Sequence, residues 1–209
     1  MGDITEYPRV YEEKIRKLQS KIPEPTYEQV HEFCGLVDFD WKGYFDKFDW
    51  DNIPNGAEYQ SSLKLIQETN KSREVYIRPL QDELSDCIVD LCENQLGMTA
   101  YETALMYQPK GSLSLNHIDI HGNFRMRNGL MDKISDDDIL IKRKVKRYWL
   151  PCSDRKHGQY FEVNGVQILW KAGELYKFPG NAPHCGGTLA EEARIFIIIT
   201  GTDIPLGDL

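Results

Sequence analysis

The sequence predicts an α+β protein in which N-terminal helices pack against a β-barrel. Three observations carry that expectation. The first half reads mainly as helix, the chain from Ala100 onward breaks into short β-like runs separated by tight turns, and an apolar helical stripe in the first half needs a sheet to cover.

Taken in order, Thr26 or Glu28 opens a helix that is expected to end near Gly35, and residues 57–72 are helix-formers of moderate quality. The segment from Arg78 to Gly97 is the clearest helix. Pro79 suits its first turn and Gly97 its C-terminal end, and Leu80, Leu84, Cys87, Ile88 and Leu91 form one stripe that fades at Gln95. Tyr101–Tyr107 and Ser112–Ile120 are the first expected strands, split by Pro109 and Gly111. Lys144–Pro151, Gln159–Val163, Val166–Trp170, Glu174–Phe178 and Ala193–Thr200 follow. Asn164-Gly165 is a strong hairpin signal, Lys171-Ala172-Gly173 a second turn and Pro179–Pro183 a third. With no internal repeat or low-complexity linker, the economical organisation is one domain over 1–209. Residues 1–98 are then a mainly helical support and 99–203 the barrel core.

The 209 residues are 41% hydrophobic and 28% charged, ordinary for a globular protein. A net charge of −8 disfavours a nucleic-acid partner, because an acidic surface repels phosphate backbones. The opening carries Asp3 and Glu6 and no apolar run, so no secretory signal is expected, and Glu6 breaks the myristoylation pattern that Gly2 invites. No stretch has the apolar length to span a bilayer. Five scattered cysteines (Cys34, Cys87, Cys92, Cys152, Cys185) suit free thiols in a reducing compartment, and a cytoplasmic location is expected.

The chemistry-bearing residues begin at His117 and Asp119. Residues two apart on a strand share a face, so an imidazole and a carboxylate can converge on one point. That is two thirds of the facial ligand set of non-haem iron(II), although a solvated strand end reads the same way. Of the five histidines, His31 falls in an expected helix and His157 in a charged turn. His184, just past an expected strand, is the best third ligand by elimination and position; the alternative is a histidine hydrogen-bonded at a loop end. Arg194 opens the run Ile195–Ile199, which is apolar on both faces. An arginine pointing inward there needs an anion, either a protein carboxylate or a dicarboxylate ligand.

The pattern His117-x-Asp119, then His184, then Arg194 ten residues later resembles the 2-oxoglutarate-dependent iron(II) oxygenases. Tyr107 to Gly111 is similar to the Tyr-x-x-Gly stretch of prolyl-hydroxylase-like members, one residue longer. Ala172 to Phe178 is similar to their Gly-Asp-hydrophobic-Phe strand. The resemblance spans roughly residues 101–201, about half the chain. It implies a double-stranded β-helix (jelly-roll) with iron(II) on His117, Asp119 and His184. It further implies 2-oxoglutarate as cosubstrate with its C5 carboxylate on Arg194, and O2 as oxidant. A hydroxyl from Tyr107 or Tyr148, less readily Thr188, would assist Arg194. Succinate and CO2 would leave as an unactivated C–H is hydroxylated, with a small molecule or peptide, in the first instance an amino-acid or protein side chain, as substrate.

Other readings stay open at this point. A cupin-like metalloenzyme without 2-oxoglutarate would add His121, and a barrel that binds without turnover would keep the same residues. A zinc site from Cys152, His157 and Cys185 matches no familiar module. The basic run 142–147 reads as a protected edge strand, or else as an anionic-substrate contact. The aromatic stretch Phe39–Phe45 with Trp50 reads as packing against the barrel, or else as a lid.

Overall fold

The structure, a computed structural model, describes residues 31–50, 57–58, 73–77, 80–117, 145–180 and 182–205. Two antiparallel sheets carry the fold. The larger orders β1 (Glu32–Leu36), β9 (Glu174–Pro179), β6 (Lys146–Pro151), β11 (Arg194–Thr202), β4 (Ala100–Gln108), β3 (Arg73–Tyr76) and β2 (Ala57–Glu58). The smaller orders β5 (Leu113–His117), β10 (His184–Thr188), β7 (Gln159–Val163) and β8 (Val166–Gln167). Helix α1 covers Trp41–Phe45. Helix α2 covers Glu83–Asp90 and runs on as a π turn over Leu91–Gln95.

Strand β11 fixes the arrangement. It lies between β6 and β4, and its side chains alternate between two cores. Ile197 and Ile199 face outward, onto a layer that includes Leu105, Leu150 and the α2 stripe of Leu84, Ile88 and Leu91. Phe196 faces inward, where Trp149, Tyr176 and Phe178 of the larger sheet meet Phe161 and Val163 of the smaller one. The Trp149 and Phe161 rings stack with centroids 4.3 Å apart. A sheet covered on both sides can be apolar on both sides, which is why the isoleucine run reads as it does.

The outer layer is locked at its ends. Asp82 caps α2 by accepting the Ser85 N–H at 3.0 Å, and its other oxygen accepts the Tyr44 hydroxyl at 2.6 Å. One carboxylate thus ties the helix to the aromatic segment. Gly97, at φ 61°, ends the helical stretch as expected. Phe39, Tyr44, Phe45, Phe48 and Trp50 pack against the same outer core, so this aromatic stretch is core rather than a free lid. Gly173 closes the turn before β9 at φ +83°, and a Cβ there would sit 2.8 Å from the Val37 carbonyl oxygen. Asn164 and Gly165 both have positive φ (50° and 79°) and turn β7 into β8, the hairpin their sequence signals.

Several expectations are corrected. The helix expected to end near Gly35 is instead strand β1 over residues 32–36; Gly35, at φ +132°, lies far from helical values, and pairing with the edge of β9 supplies hydrogen bonds that a short helix would have had to make alone. Ala57–Glu58 is a strand paired to β3 rather than the start of a helix, and residues 59–72 lie outside the described ones. Strands from both halves therefore share one sheet, and among the described residues of 1–98 strands β1 to β3 stand beside the two helices. The basic run is not an edge: Lys146 and Arg147 lie in β6, hydrogen-bonded on both sides by β9 and β11. Residues 142–144 of that run, and His121, lie outside the described residues. No described helix is long and apolar enough to cross a membrane.

Because Leu84 is fully buried where α2 meets the sheet, Leu84→Ala should cost about 2–5 kcal/mol of stability, read from urea midpoints at unchanged slope. A loss below about 1 kcal/mol would show that the helix contributes little to holding the outer face of the sheet.

Candidate functional site within the barrel

Arg194 opens β11 opposite Gln108 of β4, with the same strand parity as Phe196, so its side chain enters the space between the sheets. It is 2% exposed. Nε and Nη2 both donate to Gln108 Oε1, at 2.9 and 2.5 Å, and Nη1 donates to the Tyr160 carbonyl at 2.6 Å. The guanidinium lies over the Phe196 ring at 4.6 Å and over Phe161 at 5.6 Å. Every one of these partners is neutral, and among the described residues no carboxylate pairs with it. Burial pushes its pKa down to about 9, the nearby Tyr160 and Cys185 acting weakly in the other direction.

Space for that side chain comes from Gly186 on β10. A Cβ at Gly186 would lie 2.6 Å from both Nη1 and Nη2 of Arg194, so only glycine allows the guanidinium to rest on this strand. Neither Gly186 nor Gln108 was singled out by sequence reasoning. The Gly186-Gly187 pair was the available signal, since adjacent glycines in a strand mark a close approach.

His184 begins β10, opposite Val163 of β7 and His117 of β5. It is 6% exposed, and its ring packs against Phe178 at 5.5 Å and Phe161 at 6.1 Å. Its Nδ1 lies 3.0 Å from the Ala182 carbonyl oxygen. A carbonyl only accepts, so Nδ1–H is the donor here, the bond by which a metal-binding imidazole is oriented when it ligates through its other nitrogen. The Phe161 ring touches both His184 and Arg194, so one phenyl group separates the imidazole from the guanidinium. The β5–β10 register sets the backbones of His117 and His184 side by side. Asp119 lies outside the described residues, and among the described ones no three metal-ligating side chains cluster.

Tyr107 and Tyr148 are not where the sequence reading placed them. Tyr107 pairs with Ile195 and its ring lies 4.3 Å from Trp50; Tyr148 pairs with Ile199 and belongs to the outer core. Both therefore face away from Arg194, one residue of strand parity having reversed the expectation. Burial also pushes the Tyr148 phenol up to about 12. Better-placed hydroxyls are Thr188, 1% exposed and level with Gln159 on the inner face, and Ser112, whose carbonyl accepts the Thr188 N–H at 3.0 Å. The Ser112 hydroxyl and the Trp149 indole N–H are both buried with no hydrogen-bond partner among the described residues. The zinc alternative finds no support: Cys152 is buried in the outer core, hydrogen-bonded to the Leu150 carbonyl, while His157 is exposed in its turn.

No protein-family model matches this sequence, and no curated protein is similar to it at the sequence level. Solved structures are similar in shape. The non-haem α-ketoglutarate-dependent epimerase SnoN of nogalamycin biosynthesis matches 92% of this chain and 84% of its own, with a TM-score of 0.54 and 9% identity. The viral collagen prolyl hydroxylase vCPH of Paramecium bursaria Chlorella virus-1, solved with 2OG, matches 85% of this chain and 98% of its own, with a TM-score of 0.53 and 12% identity. At such identities the likeness is one of fold, and the chain shares with both the mostly β, double-stranded β-helix (jelly-roll) architecture.

Proposed function

We propose that this protein is an iron(II)- and 2-oxoglutarate-dependent dioxygenase. In this reading it hydroxylates an unactivated C–H bond of an amino-acid or protein side chain and releases succinate and CO2. The observation that carries the reading is Arg194: a buried guanidinium whose described partners are all neutral. A buried charge of this kind is costly until an anion joins it, and a carboxylate fits its fork. The Ser112 hydroxyl and the Trp149 N–H, buried donors without described partners, add polar capacity to the same interior. A five-carbon dicarboxylate with a keto group offers acceptor oxygens to such donors. Both similar structures are described in terms of that cosubstrate, which supports the reading by analogy of fold.

His117, Asp119 and His184 would hold the metal, with His184 oriented by its Nδ1 bond to the Ala182 carbonyl. Bound iron(II) would supply activation of O2, with electrons from the oxidative decarboxylation of the oxoacid. The chain's own work is placement. Arg194 sets the depth of the oxoacid, Gln108 and Gly186 hold the guanidinium flat against β10, and the Ala182 carbonyl fixes the His184 ring. Phe161, Phe178, Phe196 and Trp149 keep water from the inner wall.

The reading is tested anaerobically. Iron(II) with 2-oxoglutarate should give a visible metal-to-ligand charge-transfer band, and Asp119→Ala should abolish it; a wild-type protein with no band ends the proposal. Arg194→Met should behave differently in two respects. The apo protein should be as stable as wild type or more so, because an uncompensated buried charge is replaced by an apolar chain. Yet 2-oxoglutarate should no longer raise its Tm. Gly186→Ala should fold, since the displaced group is the end of a flexible side chain, but should lose on the order of tenfold or more in 2-oxoglutarate affinity by calorimetry.

A further inference from the structure

The inner face of the smaller sheet descends in levels. His184 pairs with His117 on one side and Val163 on the other, and two residues deeper Gly186 pairs with Phe161. Deeper again, Thr188 pairs with Gln159. Two residues along an extended strand advance about 7 Å, which separates the histidine from the glycine on which the Arg194 guanidinium rests. Phe161 fills that interval. Its ring centroid lies 6.1 Å from the His184 ring and 5.6 Å from the central carbon of the guanidinium.

The ring has little freedom to leave. Phe161 is 3% exposed, stacks on Trp149 at 4.3 Å with the planes 28° apart, and meets Phe178 at 6.0 Å. Trp149 is itself fully buried, with Trp170 edge-on at 4.9 Å and Tyr176 and Phe196 beside it. Moving the phenyl ring aside would displace an indole packed on all sides, which a close-packed interior resists. The guanidinium is equally fixed, because Gln108 Oε1 and the Tyr160 carbonyl hold it from neighbouring strands.

Deepening the dioxygenase reading, on which it rests, the geometry points to Phe161 as the residue that sets the length of the 2-oxo acid this protein accepts. An oxoacid with its keto end at His184 and its far carboxylate on Arg194 has to run its methylenes past this phenyl face. Both of its ends are then fixed, so chain length is read as a distance. A homologue with one more methylene would have to bow, and the ring backed by Trp149 takes the space a bow needs. Arg194 demands that the far end be an anion; Phe161 adds how far that anion stands from the keto group. The selected class is the five-carbon 2-oxo dicarboxylate, in preference to its six-carbon homologue 2-oxoadipate. Phe161 is specificity-determining and takes no part in bond making.

The test measures binding without turnover, on the anaerobic iron(II)-loaded full chain, by calorimetry and by the charge-transfer band. Wild type should bind 2-oxoglutarate on the order of tenfold or more tighter than 2-oxoadipate. Phe161→Leu should close most of that gap, and should do so by tightening 2-oxoadipate, a gain that a merely damaged core does not give. In the same variant 2-oxoadipate should raise Tm by more than it does in wild type. Phe161→Met, unbranched and adaptable, carries the same expectation should the leucine variant fail to fold. Leu84→Ala, which lowers stability from the other face of the larger sheet, should leave the ratio of affinities at its wild-type value. A wild type that binds both oxoacids equally overturns the inference. So do Phe161 variants that leave the ratio unchanged or weaken both oxoacids by one factor, since the ring would then serve packing alone. A wild type that gives no charge-transfer band with either oxoacid would instead sink the dioxygenase reading itself.

Discussion

A guanidinium held inside a β-barrel by neutral acceptors imposes conditions on everything around it. Arg194 reaches that position only because β11 is a central strand whose alternate residues face two different cores, so that Phe196 turns in while Ile197 and Ile199 turn out. It stays there because Gln108 offers one oxygen to two of its nitrogens and Gly186 offers a strand with no side chain in the way. Aromatic faces from Phe161 and Phe196 spread some of the charge without neutralising it. Such a centre contributes little to stability by itself. Its maintenance makes physical sense where an anion completes it.

The outer layer is what allows the inner wall to be polar. Trp149 and Tyr148 are consecutive residues of β6, yet one stacks on Phe161 inside and the other sits among Leu150, Ile199 and the α2 stripe outside. Apolar burial beneath the helix and the aromatic segment anchors the sheet, and the cost of placing Arg194 on the other face is offset there. Asp82 is the joint of this layer, since its two oxygens hold both α2 and Tyr44. The helical cover and the charged interior are therefore two sides of one sheet.

How much of this can be read from the amino-acid order alone follows from the range of the forces involved. The α2 stripe, the Asn164-Gly165 hairpin and the two-faced isoleucine run are local patterns, and each appears in the structure close to where its pattern lies. The depth of Arg194 was legible for the same reason, because a charge beside an apolar run on a doubly covered strand has to be solvated by something. Strand β1 was not legible: Glu32 to Leu36 has no alternation of its own and becomes a strand through pairing with β9, some 140 residues away. Tyr107 and Tyr148 failed for a subtler reason. Tyr107 lies opposite Ile195, next to Arg194, but on the other face, and Tyr148 lies opposite Ile199, five residues further along β11; face and level are both set by register across strands.

The same register distinguishes Arg147 from its neighbours in the basic run. Lys146 faces the other way and pairs with Asp203 at 2.5 Å, a half-exposed ion pair of the kind that contributes little. Arg147, one residue on, is bonded to Thr200 and shielded at Nε. In sequence the two are adjacent cations; in the fold one is a surface charge and the other lines the inner wall. A strand hydrogen-bonded on both edges has no need of charges to prevent edge pairing, so the protective role that basic residues play on open edges cannot account for Arg147. What distinguishes Arg147 is its inward position, one strand pairing from the phenylalanine that packs on His184.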